Sequence, residues 1–189
     1  MFSDLTEHLN FGYIFLISLL FLAGIYAAPA VVERDIRWLL RYPRWVAGKL
    51  EYFFKLKKGF FGTFVIILVL NNISLFSGFL SGFLVVLPLI FAFLTGLHIS
   101  VIGYDMMGWK GIWHMLVNPV AWLEFPAAWL SLSLGLRLGL AVVTPEASPT
   151  ALFGQLLPLY FKYVFSLLLL AALIETIMII LAEKFKDEV

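Results

Sequence analysis

The sequence predicts an all-α fold: a polytopic transmembrane helical bundle of about five spans plus a cytoplasmic amphipathic segment. Three observations carry this. The 189 residues are 62% hydrophobic and only 13% charged, whereas a soluble domain is about half apolar and a quarter charged. Apolar runs of ~20 residues, the length that crosses a bilayer core, recur along the chain, and mean hydropathy is +1.00. Eight of the thirteen Lys and Arg residues fall in one stretch, residues 33–58. Residues 1–189 therefore read as a single transmembrane domain. The chain has no cysteine, which excludes disulfides, thiolate nucleophiles and Cys metal sites.

The chain opens with MFSDLTEHLN, polar, slightly acidic and without Lys or Arg. A signal peptide starts with a basic region, so the first apolar run, 11–32, is expected to be retained as a span. Pro29 near its end is expected to kink or end the helix.

Residues 33–58 read ERDIRWLLRYPRWVAGKLEYFFKLKK. Arg34, Arg37, Arg41 and Arg44 recur every three to four residues and mark one helical face, while Ile36, Leu39 and Leu40 mark another. Trp38, Tyr42, Trp45, Tyr52, Phe53 and Phe54 are interleaved with them. This is the pattern of a helix lying at an anionic leaflet, with anionic lipids as its expected partner; an ordinary basic loop is the plainer reading. Nucleic acid is not an expected partner, because the same residues must face headgroups. Pro43 is expected to divide the segment in two.

The second span, 59–76, carries Asn71 and Asn72. The third, 79–103, follows Gly78 and Gly82, whose four-residue spacing suits close helix contact; Pro88 implies a kink there. Residues 104–117 form an aromatic connector, read as interfacial or partly re-entrant. The fourth span, 118–143, reads NPVAWLEFPAAWLSLSLGLRLGLAVV and is the expected packed centre, since its Ala, Ser and Gly residues let helices approach. It holds two charges, Glu124 and Arg137, roughly 20 Å apart along a helix. Residues 144–156 read as a loop, and the fifth span, 157–182, contains Glu175.

Basic residues set orientation. With the N-terminus outside, segments 33–58, 104–117 and the tail place their Lys and Arg in the cytoplasm, and the outer segments 1–10 and 144–156 carry none. The expected location is the cell membrane, multi-pass, with the C-terminus cytoplasmic. Counting ~1.5 Å per residue puts Glu124, Glu175 and His98 in the inner half, and Asn71, Asn72 and Arg137 in the outer half.

Carboxylates at membrane depth are costly and face the bundle interior. Glu124, Glu175 and His98 are read as one polar pocket with two possible roles, a proton, cation or substrate site, or a bond that keeps helices in register. Asn71 and Asn72 are expected to bond between helices, and Arg137 to snorkel outward. No HExxH, GxSxG, Walker or dinucleotide motif occurs. No enzyme activity, catalytic residue, cofactor or metal is therefore expected.

The Asn71–Asn72 pair, Gly78 and Gly82, Thr95–Gly96 with Gly103, and the run PVAWLEFPAAWLSLSLGLRLG resemble the stage II sporulation protein M family over residues 60–182. In the fourth span the family's pattern is similar at Pro119, Glu124, Pro126, Ala127, Gly135 and Gly139. Val120 and Ala121 stand where His-Gly is usual, and Thr95 where Asn often precedes Gly. The resemblance implies a small helical membrane protein that recruits partners, as the family's namesake anchors cell-wall-degrading proteins; it does not imply sporulation. The expected function is a non-enzymatic scaffold that associates with other membrane proteins or with itself, a dimer being favoured. The alternative is a transporter or channel component using Glu124 and Glu175. Gly78, Gly82, Gly96, Gly135, Gly139 and Pro126 are the expected helix-packing residues.

Overall fold

A computed structural model describes residues 10–55 and 59–187, the side chains of 50–55 and 186–187 excepted. The expectations for residues 1–9, for Lys57 and Lys58, and for the side chains of Tyr52, Phe53 and Phe54 lie outside the described residues. The described chain is helical without strands: α1 Phe11–Glu33, α2 Arg37–Lys55, α3 Gly59–Leu80 with a 3₁₀ turn Ser81–Leu84, α4 Leu87–Met107, α5 Trp109–Val117, α6 Ala121–Val143, α7 Pro149–Leu159, a π-helical turn Tyr160–Phe165, and α8 Ser166–Asp187. Among the described residues, five stretches are long and apolar enough to span: Phe11–Glu33, Gly59–Leu84, Leu87–Met107, Ala121–Val143 and Pro149–Phe185.

The expected centre is the observed one. Helix α6 touches α1, α3, α4, α5, α7 and α8, and Ala127, Ala128, Ser131, Gly135, Leu138 and Gly139 are buried along it. Small residues let backbones meet where lipid and protein are equally apolar. Thus a methyl built on Gly82 would overlap the Gly135 carbonyl, and one on Gly139 would press on the carbonyls of Gly82 and Val85. Along α1 and α4 the approach is just as close: a methyl on Gly24 would overlap Phe93 O, and one on Gly96 would overlap Phe21 O.

On the other side of α6 the core comprises Phe79 of α3 and Leu156, Tyr160, Val164 and Leu168 of the last span. Those four are spaced by four residues, and an unbroken α-helix turns ~100° per residue, so such a row drifts about 40° per step. The wider π turn at Tyr160–Phe165 takes up the drift and keeps the row on α6. A π turn of this kind is an insertion within an α-helix.

The structure corrects several boundaries. Gly78 and Gly82 close the second span instead of opening the third, because α3 continues to Leu80 and the 3₁₀ turn to Leu84. Pro88 lies in the first turn of α4, where its missing N–H is no loss, so it starts that helix and does not kink it. α1 continues four residues past Pro29 to Glu33. α2 runs through Pro43, which is buried against the bundle, as one helix. Residues 149–156, expected as loop, are helical: Ser148 caps α7 by accepting from Ala151 N, with Pro149 following. The connector 104–117 becomes the end of α4 and the short α5, whose Gly111 backbone lies against Gly103.

Candidate functional site

Two polar constellations stand out. The first lies among α3, α6 and α8. Glu124 occupies the first turn of α6, where a helix dipole favours an acid. Asn71 of α3 donates its side-chain N–H to Glu124 Oε1 at 2.5 Å, and Glu175 of α8 lies within electrostatic reach of Glu124. Both carboxyls are half-buried. One residue on, Asn72 accepts the Tyr160 hydroxyl on Oδ1 at 3.0 Å and on its backbone carbonyl at 3.3 Å. Tyr160 is fully buried, its ring 5.1 Å from Phe76 and 5.6 Å from Phe79. Ser131 adds a third bond between helices, donating to Leu75 O at 2.6 Å.

This cluster revises the expected depth map. Asn71 shares the level of Glu124, so the two do not lie in separate halves of the bundle: α3 starts further down the bundle than α6. His98 does not join the carboxyls. Its ring lies 5.1 Å from that of Tyr42 on α2, so it belongs to the contact between α2 and α4. Among the described residues no three His, Asp or Glu side chains gather as a metal site would need. Arg137 is half-buried between Leu136 and Leu138, toward the opposite end of α6 from Glu124. Pro126 lies inside α6, half-buried, one turn after Glu124's own.

The second constellation is a corner at the membrane face where α1 and α4 end. α1 closes with Ile36 N bonded to Val31 O and Asp35 N to Val32 O, a Schellman motif with Asp35 in left-handed conformation at φ 46°. Ile36 then packs on the cluster holding Val31. Arg44 of α2 makes a bidentate pair with Asp105 of α4, Nε to Oδ2 at 2.8 Å and Nη2 to Oδ1 at 3.0 Å. Arg44 also reaches Asp35 at 3.5 Å, as Arg37 does at 3.3 Å. Tyr104 donates to Glu33 at 2.5 Å. The hydrogen bonds that Arg44 donates to Asp105, with the charges of Asp105 and Asp35, raise the Arg44 pKa above the ordinary guanidinium range, so Arg44 is a cation at any working pH. Sequence reading missed this corner, since Arg44 and Asp105 lie 61 positions apart and nothing local pairs them. It missed Tyr160 for the same reason.

The family model described as stage II sporulation protein M matches residues 13–178. The chain belongs to that family. The stage II sporulation protein M match runs from α1 into α8, so it takes in the first span and the basic helix as well as the stretch carrying the resemblance. No curated protein and no solved structure matches the chain.

Proposed function

We propose that this stage II sporulation protein M family member is a non-enzymatic membrane scaffold that associates with a second copy or with other membrane proteins, its N-terminus outside and its C-terminus cytoplasmic. The observation that supports this reading is the outer face of α3. Its buried residues are Ile67, Gly78 and Phe79, while Phe60, Phe61, Val65, Val69, Leu70 and Ile73 are exposed. The Gly78, Gly82, Gly135 and Gly139 contacts are used within the chain, so association falls to this α3 face and not to the glycine-rich span. The test is the mass in detergent and in lipid nanodiscs, together with disulfide trapping from Val65→Cys or Ile73→Cys in a chain that has no native cysteine. A dimer that forms the disulfide supports the reading. A strict monomer in both media, with no partner retained from native membranes, overturns it.

The Asn71–Glu124 bond beside Glu175 favours a second reading, a transporter or channel component. That reading expects proton- or ion-dependent flux in liposomes, lost in Glu124→Gln or Glu175→Gln. Flux absent from the wild type, or unchanged in both variants, removes it.

A further inference from the structure

Helix α2 is held at one level by two independent fixings. At its start, the three residues Arg34, Asp35 and Ile36 separate it from the end of α1, a reach of ~10 Å at most. Further along, the Arg44–Asp105 pair ties it to the end of α4, and buried Leu40 packs with Leu97 and Val101 of α4. α1 and α4 both end at this face, as the Tyr104–Glu33 bond between them requires. α2 therefore packs on α4 from His98 to Asp105, beside the ends of two candidate spans and so at the edge of the bundle where headgroups are expected.

The exposed side chains on and just before α2 come in two adjacent rows; one of them, Tyr42, also lays its ring 5.1 Å from that of His98 on α4. Trp38, Tyr42 and Trp45, at spacings of four and three, are 76%, 57% and 59% exposed. Beside them on α2 run exposed Arg37 and Arg41, with exposed Arg34 in the link that leads into the helix. Arg44, Trp45, Gly48 and Lys49 line a shallow, open groove. Indole and phenol rings favour the headgroup level, where one end is apolar and the other wet. Guanidinium groups bind phosphate oxygens in a bidentate fork. Counting residues 34–49, five cations face one acid, Asp35, and Asp105 neutralises the charge of Arg44 alone.

We propose that α2 and the link before it form a built platform for anionic phospholipid, with Arg34 of the link and Arg37 and Arg41 of α2 on the lipid phosphates and Trp38, Tyr42 and Trp45 at the depth of the glycerol. This sharpens the sequence expectation to a set of residues and stands independently of self-association. Arg44 is assigned to fixing the helix, and not to lipid.

The test uses the full chain, delipidated in detergent and titrated with phosphatidylglycerol or phosphatidylcholine, with bound lipids counted by native mass spectrometry on each oligomeric species. The wild type is expected to retain phosphatidylglycerol over phosphatidylcholine. The triple variant R34Q/R37Q/R41Q is expected to lose roughly a hundredfold in affinity for phosphatidylglycerol, about tenfold or less per cation. The matching triple lysine variant is expected to keep most of the preference. Glycerol 3-phosphate, which has the phosphate without acyl chains, is expected not to compete. A wild type without preference, a folded triple Gln variant that keeps it, or full competition by glycerol 3-phosphate overturns the proposal. If the Gln variant does not fold, the wild type decides: the preference must decline steeply with salt, and a preference unchanged at high salt overturns the proposal. Because lipid is counted on the monomer as well, a failure to dimerise leaves this test intact.

Discussion

Asn71 and Glu124, 53 positions apart in the chain, are joined across the bundle by a single hydrogen bond from the amide of α3 to the carboxyl of α6. The bond gives each polar side chain what the bilayer cannot. Asn72 performs the same task toward the last span through Tyr160. The Asn pair thus connects α3 to two helices at once.

A double-mutant cycle between Asn71→Leu and Glu124→Leu should return a coupling of ~0.6–1.7 kcal/mol, the range of hydrogen bonds between membrane helices. The measurement is reversible unfolding in mixed micelles. Glu124→Gln, which keeps an oxygen for Asn71, should cost less than Glu124→Leu. Additive single effects would show that the bond contributes nothing to folding.

Tyr160 separates its hydroxyl from its ring. Tyr160→Phe removes the bonds to Asn72 and keeps the packing on Phe76 and Phe79, so it should destabilise by about 0.5–1.5 kcal/mol. Tyr160→Ala also empties a fully buried site and should cost about 3–5 kcal/mol. Equal losses in the two variants would assign the whole contribution to the hydrogen bonds.

Gly96→Ala should be among the most damaging single substitutions, since its methyl meets the Phe21 carbonyl on a backbone that has no room to yield. The expected loss is about 1–3 kcal/mol or more, read as a lower thermal midpoint in detergent. Gly154→Ala is the contrasting case. Nothing lies within 4 Å of a methyl at Gly154, and its helical position should gain about 0.5–1 kcal/mol from Ala.

Asp105→Asn or Arg44→Gln should free α2 from the end of α4. Amide hydrogen exchange across residues 37–49 should accelerate while α1 and α4 keep their protection, and the exchange pattern should be restored by the reversed pair R44D/D105R. Unchanged exchange in both single variants would mean that Leu40 and Pro43 dock the helix unaided.

Much of this architecture is legible in the residues themselves. Apolar run length locates the spans, and the Ala, Ser and Gly residues after Glu124 mark α6 as the centre. The three-to-four spacing of Arg37, Arg41 and Arg44 announces the amphipathic helix α2, while Arg34, read as part of the same face, ends as the C-cap of α1. What the chain conceals is register between helices. Counting from Gly59 puts Asn71 too high, because no local signal says that α3 begins below α6. The proline signals misled for a related reason: Pro43 removes one backbone donor, and packing of α2 on α4 outweighs that loss. The π turn at Tyr160–Phe165 shows only as a row of four-residue steps, which an α-helix pattern does not anticipate.

Val85 makes a strained turn between α3 and α4, at φ 56°, with Val86 N bonded to Leu84 O at 2.7 Å. This is the rare γ-turn, uncomfortable for a branched side chain. Val85→Gly should therefore be neutral or stabilising despite its added freedom when unfolded, provided the Gly139 contact with the Val85 backbone survives. A lower thermal midpoint would locate the importance of Val85 in its side chain.

The meeting of Gly24 and Gly96 with the opposing main chains leaves no cushion of side chains between α1 and α4. Such a pair cannot slide or roll without collision, so it behaves as a keel. The same holds where Gly82 meets Gly135, so any breathing of the protein must fall on the last span, which is bulged at Tyr160–Phe165 and meets α6 through side chains.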